Sequence, residues 1–156
     1  MKVMNIIHDS IVDGDGLRAV IFFAGCPHRC PGCHNPQSWN MMNGTEMSVD
    51  EIFNNVMSNP MSNVTFSGGD PFMQSSRELA ELARKIKDAE KSIWCFTGYS
   101  FDQVCDLEVI KYIDVLVDGK FEIDKRDLDL AYKGSSNQRI IDVQRSLIED
   151  KIIIWG

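Results

Sequence analysis

Read for its apolar and polar positions, the chain is a series of short buried runs separated by amphipathic stretches. Arg18 to Ala24 is apolar apart from its first residue, and its β-branched and aromatic side chains predict a buried strand. Before it, Val3 to Ile7 predicts an edge strand and Asp13-Gly14-Asp15-Gly16 a turn; after it, Met42-Asn43-Gly44 marks another turn. Ser48 and Glu51 have the spacing of a capping box, and Val49, Ile52, Phe53, Val56 and Met57 fall on one face of the helix that follows, which Asn59-Pro60 ends. Asn63 to Ser67 predicts the next strand, and Ser75 or Ser76 opens a helix through Leu79, Leu82, Ala83 and Ile86. Ser92 to Thr97 predicts a strand, Phe101 to Ile110 a short helix and Ile113 to Val117 a further strand. Glu122 to Leu130 is too rich in charge to be buried and reads as a surface excursion. Arg139 to Val143 and Ile152 to Trp155 are late strand candidates on either side of a brief helix, Gln144 to Glu149.

Strands alternating with amphipathic helices predict right-handed βαβ units, a mainly parallel sheet and an α/β fold. A turn or loop rich in polar or small residues follows each core strand in turn. These are the segment from Cys26 to Cys33, then Gly68-Gly69-Asp70, Thr97-Gly98-Tyr99 and Asp118-Gly119-Lys120. Ligands of parallel α/β folds sit at the carboxyl ends of strands, so the four loops are expected to meet at one site.

Composition narrows the classes. With 156 residues, 44% hydrophobic and 25% charged, the chain is expected to form one domain, residues 1–156. No run of about 18 apolar residues offers a membrane span, and the segment before His8 lacks the hydrophobic stretch of a signal peptide. The net charge of -7 argues against nucleic acid as the main partner, because neutralising phosphates requires clustered Lys and Arg. Five cysteines, three of them within eight residues, do not form the framework of a secreted disulfide protein, so a cytoplasmic location is expected.

Cys26, Cys30 and Cys33 form a C-x3-C-x2-C cluster on a strand-end loop. Thiolates are the metal-binding form of cysteine. Three of them suit an iron-sulfur cluster with one coordination position open. Zinc is the alternative, with His28 or His34 completing a Cys3His tetrahedron, and bare redox thiols are a third reading. Ser67-Gly68-Gly69-Asp70-Pro71 adds two glycines at the next strand end, where a ligand can press against backbone. Cys95, inside an apolar strand, and Cys105, on a short helix, read as small hydrophobes.

Both motifs, in this order, resemble those of the radical S-adenosylmethionine (SAM) enzymes. The stretch Cys26-Pro27-His28-Arg29-Cys30-Pro31-Gly32-Cys33-His34-Asn35-Pro36, followed by Trp39, is most similar to the glycyl-radical-activating branch that serves anaerobic ribonucleoside-triphosphate reductase. The resemblance spans about Asp13 to Lys120. It implies an incomplete βα barrel of about five to six parallel strands with outer helices. It also implies a 4Fe-4S cluster held by Cys26, Cys30 and Cys33, with the amine and carboxylate of SAM on the fourth iron. Reductive cleavage of SAM would then release a 5'-deoxyadenosyl radical, which takes hydrogen from a glycine of the partner.

The same resemblance implies that Ser67, Gly68, Gly69 and Asp70 receive the SAM amino group, Gly69 by close approach. Asp70 stands where many members carry Glu. Backbone at Gly32, Cys33 and His34 would line the adenine, because Gly32 replaces an aromatic residue common in the family. Lys120, within Asp118-Gly119-Lys120, is the candidate partner of the SAM carboxylate, and Thr97 is a further candidate to hydrogen-bond SAM. The implied partners are the large chain of anaerobic ribonucleoside-triphosphate reductase and an electron donor such as a flavodoxin-type protein. Competing readings are an activase of another glycyl-radical enzyme, of the pyruvate formate-lyase type, a radical SAM enzyme acting on a small molecule, and a non-catalytic zinc or iron-sulfur module.

Overall fold

In the computed structural model, which describes residues 1–156, the predicted edge strand is longer than its apolar core. It forms β1 (Lys2–Ser10), which pairs antiparallel with β2 (Arg18–Phe23). The short connection between them, residues 11–17, explains the antiparallel sense, since a parallel crossover needs a dozen or more residues. A two-residue strand that the sequence does not suggest, β3 (Thr45–Glu46), pairs with the start of β1.

The remaining elements are α1 (Val49–Val56), β4 (Asn63–Gly68), α2 (Ser76–Asp88), β5 (Ile93–Phe96), α3 (Phe101–Val104), β6 (Val115–Asp118), β7 (Arg139–Asp142) and α4 (Val143–Glu149). The capping box forms as expected: Glu51 N donates to Ser48 Oγ, and Ser48 N donates to Glu51 Oε1. Such a cap contributes about 1 kcal/mol to the helix it starts. Ser75 caps α2 in the same sense, donated to by Glu78 N.

The sheet order is β3-β1-β2-β4-β5-β6-β7. Only β2, β4, β5 and β6 run parallel, which is fewer than the five to six strands expected, and β7 returns antiparallel to β6. Two other expectations change. The helix from Phe101 to Ile110 divides into α3 and a 3-10 turn, Glu108–Tyr112, because Leu107 is extended. Ile152 to Trp155 contributes one bridge, Ile154 to Ile141, rather than a strand. Asp150 ends α4 in the left-handed conformation, and Trp155 then packs edge-on against Trp94, ring centroids 5.0 Å apart.

The alternation of side chains along each strand divides the sheet into two faces. Ile21, Phe23, Phe66, Ile93, Cys95 and Leu116 join α1 and α2 in the main core, where Phe23 and Phe66 meet edge to face. The other face carries Trp94, Val115 and Val117, covered by Tyr132, Ile140 and Trp155. At the amino-terminal end of the parallel strands this face is closed by Arg18. Its buried guanidinium donates to the carbonyls of Asp15 and Val64 and to Ser92 Oγ, and lies 5.4 Å from the Trp94 ring. Burial, opposed by Asp15 and Asp114, pushes Arg18 down to about 10. At the opposite end, where β2, β4, β5 and β6 finish, the face stays open, and the four loops singled out above leave from there.

Candidate functional site

The cysteine loop leaves β2 and is tied back to the sheet at both ends. Gly25 N donates to Ser38 O and Cys26 N to Trp39 O, while Asp70 N donates to Gly25 O from the neighbouring strand end. Cys26, Cys30 and Cys33 line one cavity of about 170 Å³ with Ser67, Gly68, Gly69, Thr97 and Gly119. Cys33 and Gly68 are also walls of a larger cavity of about 420 Å³, which Asp13, His34, Tyr132 and Lys133 help to line. Phe96, Phe121 and Gln138 line both, so the two spaces adjoin.

The loop is built to present sulfur as an acceptor. Asn35 N donates to Cys33 Sγ at 3.4 Å. Hydrogen bonds of this kind stabilise thiolate ligands and tune clusters. The thiol of Cys26 is raised, first by burial and then by the charges of Asp70 and Cys30, against the lowering influence of the backbone at His28 and Arg29. Its proton must therefore leave when a metal enters. Burial, with Asp70 and Cys26 nearby, raises the Tyr99 phenol as well.

No three His, Cys, Asp or Glu side chains stand close enough together to hold a single ion. His28 Nε2 is bound to Asp70, and the His34 ring leans on Phe121 with centroids 5.6 Å apart. Three separated thiols on one wall, each open to the same cavity, suit a polynuclear cluster whose irons are bound one to a cysteine.

Several residues assigned by resemblance sit elsewhere. Asp70 is fully buried and accepts from His28, Thr97, Gly98 and Phe72, so its carboxylate faces protein rather than cavity. Thr97 spends its hydroxyl on Asp70. Asp118 is buried on the other side of β6, where Arg139 donates to both its oxygens and Phe101 N donates to Oδ2. Lys120 is exposed and borders neither cavity, whereas Gly119 beside it lines the smaller one. Gly32, at φ +76, has the Ile123 side chain over its α-carbon and lies off both walls. Gly69 does make a close approach, but to backbone: a Cβ there would run into the Gly25 carbonyl and lie 2.8 Å from Ser38 O.

Phe96, Phe121 and Gln138 were not foreseen. Phe121 and Gln138 flank the charged excursion, whose composition gives no sign that its ends fold back over the cysteines. Cys95 and Cys105 lie off both cavities as expected, with Cys95 buried among the core residues of β5. Burial pushes its thiol well above the ordinary 9.0. Cys95 and Cys26 thus hold their protons more tightly folded than unfolded. That contribution to stability is present below 9.0 and is lost as pH rises through the folded values. Iodoacetamide at about pH 9 is expected to leave Cys95 of the native cluster-free chain unmodified while denatured chain reacts fully, as read by peptide mass. Rapid native labelling of Cys95 would contradict its burial.

Comparison with known proteins agrees with the geometry. A family model described as a 4Fe-4S single cluster domain matches residues 12–141. The chain is 39% identical over 135 residues to the anaerobic ribonucleoside-triphosphate reductase-activating protein of Enterobacteria phage T4, covering 83% of this chain and 86% of that protein. It is 39% identical over 139 residues to the protein of the same name from Escherichia coli, covering 82% and 90%. Against that of Haemophilus influenzae it is 33% identical over 150 residues, covering 90% and 97%. With its cysteine loop and strand-end cavity inside the matched span, the chain belongs to the family of anaerobic ribonucleoside-triphosphate reductase-activating proteins.

Proposed function

We propose that this protein is the activating enzyme of an anaerobic ribonucleoside-triphosphate reductase and that it is a radical SAM enzyme. The observation that carries the reading is the cavity shared by Cys26, Cys30 and Cys33, which has Cys33 and Gly68 in common with the lining of a larger one. The names of the relatives supply the partner. Cys26, Cys30 and Cys33 would hold a 4Fe-4S cluster and the cavity wall beside them SAM; when bound, the pair would supply the radical chemistry that acts on a glycine of the reductase.

The chain's own part is binding and exclusion of water. Ser67, Gly68 and Gly69 offer backbone and a hydroxyl at the cavity wall, and Gly119 leaves room beside them. Phe96 and Phe121 supply apolar surface where the two cavities meet, the kind of lining that keeps water from a reactive species. A protein partner is supported by the exposed apolar side chains beside the larger cavity, Ile11 (70% exposed) and Val12 (72%), of which Val12 lines it. We read the four parallel strands with their antiparallel flanks as an incomplete βα barrel, open on the side where such a partner would present a loop. All five cysteines are free and no helix is long and apolar enough to cross a membrane, in keeping with a reducing cytoplasm.

The test is anaerobic reconstitution followed by mixing with the reductase, SAM and a reductant. A glycyl-radical signal in electron paramagnetic resonance that needs all components supports the proposal. A colourless protein that retains one zinc and leaves SAM intact overturns it.

A further inference from the structure

His28 lies midway between Cys26 and Cys30, and its imidazole has no part in the chemistry above. Its side chain is 6% exposed, and Nε2 lies 2.6 Å from Oδ2 of Asp70, whose side chain is fully buried. A carboxylate oxygen accepts, so the imidazole proton sits on Nε2 and His28 donates. Between Pro27 and Gly32 this is the one hydrogen bond that joins the cysteine loop to the other strand ends.

The acceptor is held as firmly as the loop is loose. Asp70 Oδ1 receives Phe72 N at 3.1 Å and Thr97 Oγ1 at 2.9 Å, and Oδ2 receives Gly98 N at 2.9 Å. Asp70 N donates in turn to Gly25 O at 2.7 Å, and Thr97 N to Val117 O at 3.0 Å. One buried carboxylate therefore links the ends of β2, β4 and β5, with β6 joined through Thr97. The ring has a fitted seat. Tyr99 meets it edge-on with centroids 4.5 Å apart, and a Cβ at Gly98 would lie 2.8 Å from its Cγ, so only glycine admits the imidazole there.

We propose that His28 is a positioning residue, which with Asp70 and Thr97 latches the cysteine loop to the strand ends before any cofactor binds. Asp70 then serves the loop rather than the amine of a ligand. Three thiols on a loop with few bonds of its own would otherwise sample many arrangements, and ordering them beforehand removes that cost from cluster assembly. The acceptor side is rigid because, His28 apart, Asp70 accepts from Phe72, Thr97 and Gly98, groups at the ends of β4 and β5.

The test uses the full-length chain without cluster, so its failure is distinct from failure of the activase reading. Hydrogen exchange is followed at the bonded amides of Cys26, Cys33 and Gly98, with those of β2, β4 and β5 as reference. His28→Leu is expected to speed the loop amides about ten- to a hundredfold, leave the strands unchanged and slow uptake of iron and sulfide. His28→Gln, which keeps an N–H donor, is expected to restore most of the protection. Thr97→Val, which frees one side of Asp70, is expected to speed the same amides by about three- to tenfold. Unchanged loop exchange in His28→Leu overturns the proposal. So does acceleration shared equally by the strands, or a glutamine variant that exchanges like the leucine one, since ring packing alone would then explain the seat.

Discussion

Cys33→Ala is expected to reduce SAM cleavage by the reconstituted protein on the order of a thousandfold, to background, together with loss of the iron-sulfur absorbance. Cys33 is the one cysteine that lines both cavities, so on the proposed function it would hold the cluster beside the larger one. Its removal leaves two protein ligands for a group that needs three. The fold has little to lose: the sulfur accepts one long bond from Asn35 N, and the turn is kept by Cys33 N donating to Cys30 O, a backbone bond that alanine retains. The thermal midpoint of the cluster-free variant should therefore stay within about 2 °C of the parent. Cys105→Ala is the control, because its half-buried sulfur, 3.6 Å from Asp102 O, lines neither cavity. Iron content and cleavage unaffected by Cys33→Ala would remove Cys33 from the ligand set.

The second large effect is expected from a methyl group. Gly69→Ala would drive Cβ into the carbonyl of Gly25 and to 2.8 Å from that of Ser38, both backbone and both part of the seam that seats the cysteine loop. Neither oxygen can swing aside as a side chain would. Gly69 N donates to Phe23 O and Asp70 N to Gly25 O, so opening the seam breaks the bonds that join β4 to the loop. A cost of about 3 kcal/mol follows, which lowers the thermal midpoint by about 6–12 °C in a chain of this size. Iron uptake should fall with it, because Cys26 adjoins Gly25. Gly16→Ala separates crowding from backbone preference: at φ +79 a Cβ meets nothing within 4 Å, and the expected cost is about 1–2 kcal/mol with iron uptake unchanged. Circular dichroism melts of the two variants decide the matter, and a Gly69→Ala midpoint equal to the parent would show that the seam yields.

Both effects concern features visible in the chain. The cysteine spacing is contiguous, and its meaning depends on few other residues. The glycine pair predicts a close approach, and the structure shows one the sequence does not name: a Cβ at Gly69 would meet the Gly25 carbonyl, while Gly68 and Gly69 also line the cysteine cavity. In the same way Asp70 was legible as an acidic group at a strand end. Its partner, His28, stands 42 residues away, and no local pattern couples them. Asp118 and Lys120 are candidates through the resemblance of Asp118-Gly119-Lys120 to a family motif at a strand end. The register puts Asp118 on the helix-facing side, beside Arg139 of β7. That alternation from one residue to the next decides which neighbour of a strand end can reach a cavity.

Periodicity and capping residues are properties of a few consecutive side chains, and they were enough for the strands β2, β4, β5 and β6, the helices α1 and α2 and the strand-end position of the cysteines. The sense of β1 and β7, the folding of Phe121 and Gln138 over the cavities and the commitment of Asp70 to His28 came only with the assembled sheet. A carboxylate carries the same atoms wherever the chain leaves it. What it binds depends on which strand ends are set side by side, and the order β2-β4-β5-β6 puts His28, Asp70 and Thr97 within reach of one another.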